Sequence, residues 1–397
     1  MPLLSRLSNW MPASPIRKLV PYADAAKKRG IKIYHLNIGQ PDIKTPENVL
    51  RKLKEIELDV LAYTKSQGTD SYRQKLTEYY AAHDISITPE DVIVTTGGSE
   101  ALLFTIGSIA DPGDEIIIPE PYYANYNSFI TLFNVKVVPV PSSIDRNFAL
   151  PPVEELEKMI SPRTKAILYS NPSNPTGYVY SAEEISKLRD LALKHDIFII
   201  ADEVYREFIY EGDRHHSIMH QPDMEQHAIM VDSVSKRYSM CGARIGCVVS
   251  KNKDLMKSVL KFAQARLSPP ALEQILAEEA INTPSSYFEE VIQEYKQRRD
   301  LLIEGLSNIP GVKIGYPRGA FYLMAELPVD DADNFAKWML SEFEDEGETV
   351  MVAPASGFYS DPERGKRQVR IAYVLKTEDL ARSVEILKKA LDTYNRR

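Results

Sequence analysis

Between about residues 90 and 250 the chain alternates short apolar runs with amphipathic stretches. The runs DVIVTT (91–96), DEIIIP (114–119), VKVVPV (135–140), KAILYS (165–170), DIFIIAD (196–202), AIMVDS (228–233) and IGCVVS (245–250) are rich in Ile and Val, and turn signals bound most of them. Runs of that length and composition predict buried strands. Helical stretches fall between several of them, for example 99–109 and 182–195. Alternating strands and helices predict an α/β fold with a mostly parallel seven-stranded sheet, sandwiched by helices on its two faces.

The pattern changes after about residue 284. SYFEEVIQEYKQRRDLLIEGL reads as a long amphipathic helix, followed by VKIGY, AFYLMAEL, a helix NFAKWMLSEFEDEG, then ETVMVAP, VRIAYV and a last helix EDLARSVEILKKAL. Fewer strands with helices to one side predict a smaller α+β domain. The first 45 residues hold no series of buried strands and are expected to form an arm that joins this second domain. The predicted division is therefore 1–45, 46–283 and 284–397.

Composition narrows the partners. Apolar residues make up 44% and charged residues 26% of the 397, enough for a large core. With 56 acidic against 48 basic residues the net charge is −8, so no basic surplus faces nucleic acid. Cys241 and Cys247 fit neither a zinc pattern nor a redox pair, which suggests a reducing cytosol. No stretch approaches ~20 consecutive apolar residues, and the first residues lack the apolar core of a secretory signal. A cytoplasmic protein that spans no membrane is the expectation.

Four strand ends carry polar groups. SVSKRYSMCGARIG (233–246) follows a strand and holds Ser233, Ser235, Lys236 and Arg244 in one loop. A partly desolvated lysine there becomes a nucleophile for carbonyl compounds, and guanidinium binds phosphate bidentately. An ordinary solvated loop fits equally well. In DIFIIADEVYREF, Asp202 lies where open α/β sheets bind ligands, with Tyr205 three residues on; a helix cap and a core tyrosine are the plainer alternative. SNPSNPTG (170–177) can project Asn174 into the same crevice, or be only a turn. TTGGSEALL (95–103) runs a strand through glycines into a helix start, which is an anion site.

Taken together, NPTG at 174–177, ADEVY at 201–205, SxSK at 233–236, GxRxG at 242–246 and VRIAY at 369–373 resemble the class I/II aminotransferases of fold-type I, which depend on pyridoxal 5′-phosphate (PLP). The likeness runs from about residue 13 to the C-terminus. It implies a large PLP-binding domain (46–283) and an enzyme that exchanges an amino group between an L-amino acid and a 2-oxo acid. It also implies roles. Lys236 carries the cofactor covalently and later moves the proton, Asp202 pairs with the pyridine nitrogen, and Tyr205 and Asn174 donate to the ring's phenolic oxygen. Arg244, Ser233, Ser235 and the amides of Gly98, Ser99 and Glu100 hold the phosphate. Tyr123, in PEPYYANY, stacks on the ring. Tyr63, in LAYTKSQG, reaches the phosphate of a neighbouring subunit, so the resemblance implies a homodimer with shared active sites. Arg370 and Gly39 hold the substrate α-carboxylate, Asn174 beside them.

Side-chain specificity is less determined. Some aspartate aminotransferases of this group place a lysine after the TGG glycines, where Ser99 stands here, and many relatives have Gly-Trp-Arg in place of Gly242-Ala243-Arg244. The loop AQARLSPPALEQ (263–274) resembles one that in this family lies near the partner subunit's active site; its Arg266 is a candidate for binding a distal carboxylate there, although it suits a helix C-terminus as well. Aspartate with 2-oxoglutarate is the expected pair, with an aromatic or broad-specificity transaminase and a C–S lyase as alternatives. A regulator on this fold needs an added DNA-binding module, and no helix-turn-helix pattern is present.

Overall fold

The computed structural model describes residues 2–212 and 214–397. It contains a short strand β1 (Lys32–His35), then β2 (Val92–Thr95), β3 (Glu115–Pro119), β4 (Lys136–Val140), β5 (Thr164–Ser170), β6 (Phe198–Asp202), β7 (Ala228–Ser233) and β8 (Gly246–Val249). Strands β2 to β8 form one sheet in the order β2-β8-β7-β6-β5-β3-β4. The five strands β3 to β7 run parallel, and β8 is antiparallel to both neighbours. All seven apolar runs are strands of this sheet.

Burial on both faces explains why these runs are continuously apolar. Ile116, Leu168, Ile200, Val231 and Val248 enter one cluster with Phe104, Phe129 and Val259 of covering helices. Their neighbours Ile117, Ile167 and Ile199 point the other way, against Ile185, Leu188 and Leu191. Successive side chains of a strand alternate faces, so each strand feeds two cores. Each fully buried Ile contributes about 1.5–3 kcal/mol of transfer free energy to that packing. The carboxyl ends of the parallel strands fall along one edge, where Ser170 lies opposite Asp202 in register.

The C-terminal part adds β9 (Lys313–Ile314), β10 (Tyr322–Glu326), β11 (Glu348–Met351), β12 (Ala353–Pro354) and β13 (Gln368–Ala372). Antiparallel pairing gives the order β12-β13-β10-β9, while β11 pairs in parallel with β1. Leu19, Ala23, Tyr34 and Leu36 share a core with Leu302, Phe335 and Leu387, which ties the N-terminal segment to the C-terminal part.

Two elements differ from the sequence pattern. The helix expected over 334–347 is Ala332–Ser341, opened by Asp331, whose carboxylate accepts from the amides of Asp333 and Asn334. Its acidic end instead turns, with Glu346 (φ 55°) and Gly347 (φ 76°) in left-handed conformations that lead into β11. ETVMVAP divides between β11 and β12, two strands of different sheets. Among the described residues, no helix is long and apolar enough to cross a membrane.

Candidate active site

A cavity of about 490 Å³ opens at the carboxyl edge of the large sheet, between that edge, the N-terminal arm and the strands β10 and β13. Gly39, Gly98, Ser99, Tyr123, Asn174, Asp202, Tyr205, Ser233, Ser235, Lys236, Arg244 and Arg370 all line it. Twelve positions that are scattered from residue 39 to residue 370 are thus brought to one space.

At one end, β7 runs into the short helical turn Val234–Arg237, capped by Ser233, whose Oγ accepts from the Ser235 amide at 3.2 Å. This turn lifts Lys236 into the cavity, where its Nζ donates to the Gly39 carbonyl at 2.7 Å and lies 3.7 Å from Cys241 Sγ. The helix Gly97–Ile109 begins at the same end, with its first amides free of intrahelical acceptors. Arg244, in a left-handed conformation (φ 54°), packs its guanidinium on Gly97. A Cβ on Gly97 would lie 2.5 Å from Arg244 Nη2, and one on Gly246 would lie 2.7 Å from the Gly98 nitrogen. These glycines let the loops bearing Arg244 and the helix start interlock.

Asp202 ends β6 on the cavity floor. Tyr126 donates to its Oδ2 at 2.7 Å, and no cationic side chain lies within 4 Å of it among the described residues. Burial pushes its carboxyl up to about 6. Tyr205 is hydrogen-bonded at 2.8 Å to the hydroxyl of Tyr322, and burial raises the Tyr205 phenol. Tyr123 meets Tyr126 edge-on at 5.5 Å, and burial holds its phenol up at about 12.

Opposite, β13 delivers Arg370, which is only 2% exposed. Its Nη1 donates to Asn174 Oδ1 at 3.0 Å and its Nη2 to the Asn37 carbonyl at 2.6 Å, while the buried Nε has no partner. Among the described residues no carboxylate lies within 4 Å of it. A buried guanidinium with a free donor and no counter-ion is built to receive a carboxylate.

The implied cofactor fits this wall. Asp202 is a buried acid with no cationic partner and would suit a protonated ring nitrogen, a lysine amine is held by one carbonyl, and Arg244 with a free helix start and two serine hydroxyls forms an anion cradle. Tyr63 and Arg266, expected at a neighbouring subunit's site, do not line this chain's own cavity, and Glu100, expected only through its amide, turns its side chain elsewhere. Tyr63 is 81% exposed on the outer surface. Glu100 accepts from the Thr96 amide at 2.7 Å and pairs with Arg266 at 3.2 Å. Arg266 is the last residue of the helix Lys253–Arg266, and it also donates to the Ser66 and Val94 carbonyls. Its guanidinium is committed within its own chain and does not line that chain's cavity.

Tyr322, Cys241, Asn37 and Arg17 line the cavity without having been singled out from the sequence. Tyr322 lay inside AFYLMAEL, where only a strand was legible; the AFY start before that strand was the available signal.

A family model described as aminotransferase class I and II matches residues 31–387. The aspartate aminotransferase of Bacillus subtilis (strain 168) is 32% identical over 100% of both chains. A solved structure of aspartate aminotransferase from Thermus thermophilus with maleate superposes with a TM-score of 0.89 at 30% identity, covering 98% of this chain and 100% of that one. Alanine aminotransferase from Pyrococcus furiosus gives a TM-score of 0.90 at 27% identity over 98% of this chain and 100% of that one. Sequence match, fold and cavity chemistry agree, and the chain belongs to the class I and II aminotransferases as a PLP-dependent transaminase of amino acids and 2-oxo acids.

Proposed function

We propose that this transaminase is an aspartate aminotransferase with 2-oxoglutarate as acceptor, acting as a cytoplasmic homodimer. The observation that carries the amino acid assignment is Arg370, buried, without a counter-ion and with Nε unsatisfied. Relatives named aspartate aminotransferases at about 30% identity support aspartate as the donor. Two free cysteines suit a reducing compartment. In this reading residues 46–283 form the cofactor-binding body, and residues 1–45 with 284–397 form the cover.

Bound in this cavity, PLP supplies an electron sink for the bonds at the amino acid's α-carbon. Arg370 holds the α-carboxylate with two donors while Gly39 and Asn174 border it, which fixes which α-carbon bond faces the lysine. With PLP bound, Lys236 would be the base that moves the α-proton. Asp202 would pair with the ring nitrogen and favour its protonated form. Tyr205 and Asn174 would donate to the phenolic oxygen, and Tyr123 would pack on the ring. Arg244, Ser233, Ser235 and the amides of Gly98, Ser99 and Glu100 would hold the phosphate, with Tyr63 contributed by the neighbouring subunit.

The test is steady-state turnover of the PLP-loaded protein with a panel of L-amino acids and 2-oxoglutarate, following oxaloacetate and the other 2-oxo acids as products. Aspartate should give a kcat/KM at least about tenfold above phenylalanine, leucine and alanine. Preference for phenylalanine or tyrosine instead assigns an aromatic transaminase. Release of pyruvate and ammonia without any acceptor would replace transamination with elimination.

A further inference from the structure

Four cationic side chains, Arg17, Lys236, Arg244 and Arg370, line the cavity against one carboxylate, Asp202. In the proposed reaction Arg244 meets a phosphate, Arg370 an α-carboxylate, Lys236 the cofactor itself, and Asp202 a ring nitrogen. Arg17 is left over.

Its position is fixed although its own side chain is free. Pro15 packs on Gly357, where a Cβ would lie 2.3 Å from Pro15 Cβ. Ile16 joins the cluster of Ala124 and Phe358. Lys18 pairs with Asp333 and reaches Ser356, and Leu19 is buried in the C-terminal core. The backbone of this turn closes on Ser14, whose carbonyl accepts from the Arg17 and Lys18 amides at 3.2 Å each. Every neighbour in the turn is anchored, yet among the described residues the Arg17 guanidinium makes no hydrogen bond or ion pair. Ser99 lines the same cavity without a charge, and the other three cations already have partners in the proposed reaction, so Arg17 is the cation of this wall left to meet a further anion.

We propose that Arg17 binds the distal acidic group of the substrate and thereby selects dicarboxylic amino and 2-oxo acids. This rests on the transaminase reading above and deepens it. A guanidinium meets a carboxylate with two parallel donors, and closure over substrate would withdraw that pair from water. A charge-assisted contact of this kind changes affinity about 10- to 100-fold. A merely solvated arginine would change it hardly at all.

The experiment uses the PLP-loaded enzyme and the variants Arg17→Ala and Arg17→Lys. Calorimetry gives the Kd of maleate, a dicarboxylate, and of propionate, a monocarboxylate; kinetics give the aspartate-to-alanine ratio of kcat/KM. In Arg17→Ala the maleate Kd should rise about 10- to 100-fold more than the propionate Kd, the kcat/KM ratio should fall by a similar factor, and Arg17→Lys should recover part of both. Equal changes for the two acids, or none, overturn the proposal. Wild-type preference for a neutral amino acid would overturn the aspartate assignment; a maleate Kd still dependent on Arg17 would then uphold the acidic-group site, and an independent one would overturn it too.

Discussion

Replacing Asp202 by Asn in the cofactor-free protein separates what the buried acid does for chemistry from what it costs the fold. Its carboxyl is raised from 3.8 to about 6 by burial, against a smaller opposing effect from the Tyr126 hydroxyl. Below pH 3.8 the acid is protonated in folded and unfolded chains alike and has no linked effect. Between 3.8 and 6 the unfolded chain gives up the proton while the folded chain retains it, so each step up in pH favours unfolding. Above pH 6 the accumulated penalty is 6 minus 3.8, multiplied by 1.36, or ~3 kcal/mol. An amide carries no such penalty, and its oxygen can keep the 2.7 Å bond from Tyr126. Asp202→Asn should therefore match wild type in urea-denaturation stability near pH 4 and exceed it by up to ~3 kcal/mol at pH 8. Glu203, pushed by burial up to about 7, titrates in both proteins and cancels from the difference. The same variant loaded with PLP should lose about 100-fold or more in kcat, because the ring nitrogen loses its anionic partner. A stability difference that stays flat from pH 4 to 8, or a variant that is weaker at pH 8, would refute the reasoning.

Three further outcomes follow from the geometry. Gly39→Ala places a Cβ 1.8 Å from Tyr322 Oη, so kcat/KM should fall at least about tenfold, and adding Tyr322→Phe should not restore it because Cζ would still be 2.3 Å away. Arg237→Met strands Asp232 (2.5 Å) and Glu207 (3.3 Å) as buried acids, and urea denaturation should register a loss of about 3–5 kcal/mol, part of which Asp232→Asn returns. If Tyr63 serves the neighbouring subunit, mixing Lys236→Ala with Tyr63→Ala protein through a dissociation step should produce about a quarter of wild-type turnover from hybrid dimers; a mixture no better than its two components would place Tyr63 outside the shared site.

How much was legible depended on how locally each feature is encoded. The strands of the large sheet announce themselves because both faces are buried, so DEIIIP and AIMVDS carry consecutive apolar residues with no polar alternation at their centres. Lys236, Asp202 and Asn174 were legible because each sits in a short motif at or just past a strand end, and Arg370 because it sits in the motif VRIAY along β13. The pairing of β1 with β11 was not: KIYH buries only Tyr34, and its partner lies more than 300 residues away. Tyr322 and Arg17 were missed for a related reason, since neither belongs to a motif and only the folding together of the arm, β10 and the sheet edge makes them neighbours. Arg266 illustrates the same distance problem. Its surroundings are short of other cations in sequence, and its carboxylate neighbour, Glu100, lies 166 positions earlier.

The arrangement beneath the cavity explains why the site can be rigid and strongly charged at once. Asp202 and Lys236 face the cavity, and the residue after each, Glu203 and Arg237, faces a buried polar layer. Glu203 accepts from the Ser217 hydroxyl at 2.8 Å and the Ile218 amide at 3.1 Å. Arg237 spans Asp232 and Glu207 and lies 4.3 Å from the centre of the Tyr79 ring. Tyr80 donates to Asp232 at 2.8 Å, which ties the same layer to the helix Asp70–Ala81. A hydrophobic layer of equal volume could be as stable or more so, because buried ion pairs lose much of their attraction to desolvation. Hydrogen bonds, however, have directions that apolar contacts lack, and each residue of this layer is held by two or more of them or by a ring face. The backbone between Glu203 and Asp202, and between Arg237 and Lys236, is thereby fixed from below. Stability that the layer gives up is returned as fixed position of Asp202 and Lys236, the two groups it presents to the cavity.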